Sequence, residues 1–110
     1  MKIGKILLTL SAIMYGIIPL FVDLNSTHAM NHEWVGHARF HVVWQILITF
    51  NLSLLSFYLT WNKKIDAALS LRLAFLVGLI VLGSFDLNGI IKNLYGGTFT
   101  DESGYKSSAI

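Results

Sequence analysis

Three long apolar runs divide the chain, with short polar segments between them. The first, Ile6 to Val22, reads ILLTLSAIMYGIIPLFV and holds no charged side chain. The second, Phe40 to Trp61, reads FHVVWQILITFNLSLLSFYLTW. The third, Leu69 to Leu94, is mostly apolar but carries Arg72, Ser84, Asp86, Asn88 and Lys92. About twenty apolar residues in helical form cross a bilayer core, so each run predicts a membrane-spanning helix. The third is too short for two crossings and reads as one long helix with a polar outer third. The expected fold class is therefore all-α: an integral membrane helical bundle of three transmembrane helices. A polar, histidine-rich segment separates the first two, and a polar tail runs from Tyr95 to Ile110. One membrane domain accounts for the whole length.

Local signals refine these limits. Pro19 cannot donate a backbone hydrogen bond, so it predicts a bend near the end of the first helix and a freed carbonyl there. Trp44 and Trp61 sit where interfacial aromatic anchors are expected. Asn62 to Lys64 predicts a tight turn, Asp66 a cap for the third helix, and Tyr95 to Gly97 its stop. Lys2 and Lys5, with the later Thr27-His28-Ala29, also fit a secretory signal. The length of the apolar run favours a retained span.

Composition agrees with lipid as the main solvent. Of 110 residues, 55% are apolar and 13% charged, against about 25% charged in a soluble domain. The chain has no cysteine, which excludes disulfides and thiolate metal sites. A formal charge of +2, divided between two ends, gives no basis for nucleic-acid binding.

Lys2, Lys5, Lys63, Lys64 and Arg72 fall on one side of the three-span arrangement, and Arg39, Lys92 and Lys106 on the other. The positive-inside rule then places the N-terminus and the Lys63–Lys64 turn in the cytoplasm, as in a bacterial inner membrane. The histidine-rich segment and the C-terminus emerge opposite. All four histidines gather there with Asp23, Glu33, Asp86, Asp101 and Glu102. A solvated loop explains many of these residues. It explains Asp86 and Asn88 less well, because they lie within an apolar helix.

His28/His32 and His37/His41 each have the four-residue spacing that puts side chains on one helical face. Such pairs can hold a divalent ion, so His28, His37 and His41 are candidate metal ligands, for a divalent cation or a haem. The segment His32 to His37 superficially fits a zinc-protease helix, but its second histidine comes five residues later instead of four, which excludes that reading. Along the second span His37, His41, Gln45 and Thr49 form a polar stripe at four-residue steps. On the third, Ser84, Asn88 and Lys92 form another, with Asp86 and Asn93 on a neighbouring face. The two stripes are expected to meet near the outer interface and close a polar pocket. A carboxylate beside an imidazole is suited to acid–base chemistry, and it is equally what a structural ion-pair network contains. Arg39 points away from His37 and His41, either to headgroups or to Asp23, Glu33 or Asp86.

The residues Asp23, Asn25, Thr27 and His28, then Asn31 and Trp34, then His37, Ala38, Arg39, Phe40 and His41, resemble a signature. It runs D-x-N-x-T-H, then N-P-x-W-x-x-H-A-R-F-H, in a family of small, multi-span, functionally uncharacterised membrane proteins of bacteria and fungi. His32 stands where that pattern has proline, so the resemblance implies no role for it. Tyr95 to Glu102 is similar to the family's glycine-containing C-terminal motif. Relatives commonly have four spans where this chain has three. The resemblance implies that the outer polar segment is the working part and supplies no reaction. In architecture alone the chain is also similar to the small helical proteins of the sterol-isomerase and sigma-2-receptor superfamily.

Together these residues lead to one expectation with two rivals. His37, His41 and Asp86 would carry acid–base chemistry. Asp23, Asn25, His28, Arg39, Gln45 and Asn88 would bind a lipid-like or other apolar small molecule. The first rival is the histidine-ligated metal or haem site. The second is a non-enzymatic subunit of a membrane complex, or a homo-oligomer, since Gly16, Gly78, Gly83 and the serines permit close helix approach.

Overall fold

The computed structural model describes residues 2–99, which are helical and contain no strand. The expected outer-side residues Asp101, Glu102 and Lys106 lie outside the described residues. Helix α1 covers Lys2–Ala12, α2 Ile18–Val22, α3 Gly36–Trp61 and α4 Ala67–Ile91. A π-helical turn, Ile13–Ile17, joins α1 to α2, and a 3₁₀ turn, Lys92–Leu94, extends α4. Three units are long and apolar enough to cross a membrane: Lys2–Val22, Gly36–Trp61 and Ala67–Leu94. The protein is thus an integral membrane helical bundle by length and composition.

The π turn has an identifiable cause. Pro19 offers no N–H to the Tyr15 carbonyl, and its ring would crowd that carbonyl in a regular α-helix. The helix widens just before it, so that the Ile18 N–H bonds the Ile13 carbonyl, five residues back. Tyr15 and Gly16 are thereby turned into the bundle, and both are buried.

The interior is made of small residues. On α3, Ile46, Thr49, Ser53, Ser56 and Thr60 are buried at alternating steps of three and four, the spacing that keeps one seam facing a neighbour. They meet Ala12, Tyr15 and Gly16 from the first span and Ser70, Leu71, Ala74 and Gly78 from α4. Lipid supplies no hydrophobic force between helices, so close backbone approach and dispersion hold them together. Two of the seam hydroxyls are satisfied within their own helix: Thr49 donates to the Gln45 and Ile46 carbonyls at 3.1 Å and Ser53 to Phe50 at 2.6 Å. They serve as small spacers more than as interhelical glue.

Trp61 fixes one end of this packing. Its indole N–H donates to Thr9 Oγ1 at 2.8 Å, while the Lys5 ammonium lies 5.5 Å from its ring centroid. The turn beyond forms as expected, with Lys64 N–H bonded to Asn62 Oδ1 at 2.9 Å, and Asp66 capping α4 through Leu69 N–H at 3.0 Å. The far end of α4 closes on Gly96, whose φ of 77° permits the Gly97 N–H to reach the Lys92 carbonyl at 2.7 Å.

Lengths place the polar groups. The α3 span of 26 residues and the last span of 28 are about 39 and 42 Å long at 1.5 Å per residue, against a core of about 30 Å. Counted about twenty residues from Trp61 and Ala67, the far edge of the hydrocarbon falls near His41 and Leu87. Helix α3 starts at Gly36 and not at Phe40, the start of the apolar run, because backbone helicity continues through the polar rim. No residue of α4 beyond Gly78 is buried, so the bundle is tied in the half nearest Trp61 and open in the other.

Gly16→Ala is expected to destabilise the bundle by about 1–3 kcal/mol, as overpacking does. Its new methyl would collide with the Ser53 side chain and lie 2.9 Å from the Thr49 carbonyl oxygen. Gly83→Ala, which meets nothing within 4 Å, should be neutral or better. Reversible unfolding in mixed micelles measures both, and equal stabilities would contradict this packing.

Candidate functional site

The segment after α2 is folded by its own side chains. Asn25 is buried, and its amide donates to the Phe21 and Val22 carbonyls, both at 2.8 Å. Those are carbonyls left without partners at a helix end. Its carbonyl oxygen accepts from the Thr27 N–H at 2.9 Å and from the Thr27 hydroxyl. Asn31, fully buried, repeats the device: its amide donates to the Thr27 carbonyl at 3.0 Å and its oxygen accepts from Glu33 N–H at 2.9 Å. Two such turns in series form a compact lid over the end of the first span.

His28 belongs to this lid. Its Nδ1 lies 2.8 Å from Thr27 Oγ1 and 3.7 Å from Asp23 Oδ1, and its ring meets Trp34 edge-on at 5.2 Å. Thr27 has one proton to give. When that proton goes to Asn25, His28 Nδ1–H is the donor to Thr27 and Nε2 is left as an acceptor. Asp23–His28 is the ion pair found within 4.0 Å among the described residues. Its members are half-buried, so it orients the ring more than it stabilises the fold.

His37 and His41 form a separate arrangement on α3. Their Nε2 atoms are 3.1 Å apart, with the rings near perpendicular and their centroids 4.6 Å apart. Both residues are exposed. Trp44 lies 5.7 Å from His41, and a groove of about 230 Å³ runs from His41 and Gln45 over Trp44 and Ile48 to Thr49. Its lining is almost wholly apolar.

No hydrogen bond or ion pair joins the two stripes among the described residues. Asp86 is exposed and makes no ion pair with any described residue. Asn88 instead accepts the Tyr95 hydroxyl. Phe99 packs 6.2 Å from Phe85, with the Lys92 ammonium 4.9 Å from its ring centroid. The chain beyond α4 therefore folds back on that stripe and occupies it. Arg39 likewise has no ion pair with Asp23, Glu33 or Asp86. Among the described residues no group of three or more His, Asp or Glu side chains comes together. His28 is held in the lid, while His37 and His41 stand together on α3.

Several residues outside the expected site set matter to this geometry. Thr27, Asn31 and Trp34 build the lid, and their signal lay in the signature they share with Asn25 and His28. Trp44 flanks the groove at three residues from His41, a spacing that places it on the same face. Tyr95 and Phe99 lie in the segment similar to the glycine-containing motif, but nothing in it signalled their return onto α4.

No protein family, curated protein or solved structure matches this chain.

Asn25→Asp should open the lid, because it keeps the oxygen that accepts from Thr27 and loses the donor to Phe21 and Val22. A cost of about 1–3 kcal/mol is expected for the orphaned Phe21 carbonyl, since Val22 can still accept from the Thr27 hydroxyl at 3.3 Å. Hydrogen exchange at Thr27 to Asn31 reads it, and unchanged protection would show that the amide is dispensable.

Proposed function

We propose that this integral membrane protein binds the polar end of a lipid-like or other apolar small molecule at the non-cytoplasmic rim of α3. The observation that carries the reading is the exposed His37–His41 pair, of which His41 borders an apolar groove near the expected hydrocarbon edge. The apolar part of the ligand lies along Trp44 and Ile48, and Gln45 hydrogen-bonds its polar end. The two imidazoles, sharing one proton between Nε2 atoms, donate to or accept from that end. This is the proton exchange acid–base chemistry uses, whether or not a bond is transformed. Arg39, with no carboxylate partner among the described residues, holds an anionic headgroup. The lid from Asp23 to Trp34 bounds the site on its aqueous side. Its likeness to the D-x-N-x-T-H signature fits this assignment.

A second reading is favoured by one distance. Two nitrogens about 2.0–2.1 Å from a single zinc-type ion at tetrahedral angles stand about 3.3 Å apart, close to the observed 3.1 Å. A haem iron held from opposite faces would need them about 4 Å apart and opposed. The pair therefore suits one divalent cation bound from one side, with water completing its shell.

One preparation in lipid nanodiscs separates the two. Labelling of α3 by a photoactivatable fatty acid should fall at least tenfold in His37→Ala and His41→Ala variants that keep their helicity. Stoichiometric Zn²⁺ uptake abolished by either substitution, with labelling unaffected, would select the cation reading instead. Loss of neither signal removes both.

Orientation is tested separately, because the chain has no native cysteine. Glu33→Cys should react with an impermeant maleimide from the periplasmic side of a bacterial inner membrane. Lys63→Cys should react only after permeabilisation. The reverse pattern would invert the topology.

A further inference from the structure

A cavity of about 580 Å³ opens at the end of the bundle opposite the histidines, between the start of α1, the end of α3 and the turn into α4. We propose that it binds a phosphate group, carried by an anionic lipid headgroup or as free inorganic phosphate. Lys5, Lys63 and Lys64 line it, opposed by the Asp66 carboxylate. One oxygen of that carboxylate is already committed to the Leu69 N–H at 3.0 Å. Three ammonium groups against one carboxylate favour an anion of more than one charge or several acceptor oxygens. Lys5 is held in place over Trp61, and the Asn62 side chain shapes the turn that presents Lys63 and Lys64.

The observation that marks this as a site, and not only a basic belt, is Thr60. It lines the cavity and is 2% exposed, yet its hydroxyl finds no hydrogen-bond partner. Thr49, Ser53 and Ser70 each give their proton to a carbonyl of their own helix. Thr60, at the end of the same seam, keeps its proton for another acceptor. A phosphate oxygen entering between the lysines would take it. The cavity volume lies in the range of about 300–1,000 Å³ typical of small-ligand sites, and basic pockets between spans commonly take acidic headgroups. The inference is independent of the histidine pair.

The lysines alone are topological signals, so the test must separate the hydroxyl from the charge. Native mass spectrometry of the protein in mixed phosphatidylcholine and phosphatidylglycerol micelles counts retained lipid, and a parallel titration uses inorganic phosphate. One phosphatidylglycerol per chain is expected. Retention should fall about fivefold in Lys64→Gln, the effect of about one basic residue near a headgroup. It should fall at least threefold in Thr60→Val and persist in Thr60→Ser, while Lys2→Gln, outside the cavity, leaves it unchanged. The same variant pattern with inorganic phosphate and no lipid preference would identify free phosphate as the source. Thr60→Val behaving as wild type, or Lys2→Gln as damaging as Lys64→Gln, would overturn the site.

Discussion

The close crossing of Gly16 over Ser53 is the contact on which the bundle depends. Helices in lipid gain nothing from leaving one another's apolar surfaces dry, so they associate only where their backbones can come near. Gly16 supplies that place, with no room for a Cβ between it and Ser53. Pro19 brings it there by forcing the π turn that rotates Tyr15 and Gly16 inward. Tyr15 then spans the remaining gap, reaching Gly78 of α4, where an added Cβ would sit 3.9 Å from its ring. One proline, two glycines and a serine thus determine how three otherwise greasy helices find one another.

Because these contacts lie toward the Trp61 end, the other end stays open. Helix α4 buries Ser70, Leu71, Ala74 and Gly78 and nothing further on. Both long helices also outrun the hydrocarbon core, and their surplus turns carry the polar residues. Asp86 and Asn88 are tolerable on an apolar helix because they fall at its rim, where water and headgroups can solvate them, and not at mid-bilayer. Their exposure is a consequence of helix length as much as of chemistry.

Hydropathy is a one-dimensional property, and what depends on it was legible: three spans, the Asp66 cap, the disturbance at Pro19 and the polar rim. What depends on azimuth was not. Residues four apart advance about 40° around a helix beyond a full turn, so His37, His41, Gln45 and Thr49 drift by about 120°. His37 and His41 stay exposed while Thr49 enters the seam. A stripe on paper is therefore partly a spiral. Asn51, Ser53 and Ser56 read alike as helix-packing contacts; the two serines are buried in the seam, but Asn51 is exposed. The stripe on α4 escaped prediction for another reason. Its partners are Tyr95 and Phe99, which follow it directly in sequence and fold back by a glycine turn that no periodicity announces.

The division of polar groups between the two ends follows from the same packing. Within the seam, the Thr49, Ser53 and Ser70 protons return to carbonyls of their own helices, and the Thr60 hydroxyl at its end is the seam group left for an outside acceptor. At the histidine end, the Asn25 and Asn31 amides are satisfied within the lid, and on the α4 stripe Asn88 and Lys92 are engaged by Tyr95 and Phe99. This leaves the His37–His41 pair as an exposed polar group beside an apolar groove, approachable sideways from the bilayer as well as from water. A molecule dissolved in lipid reaches such a place by lateral diffusion with its apolar part still in hydrocarbon. It need desolvate only its polar end, and two imidazoles that can each donate or accept are suited to meet it.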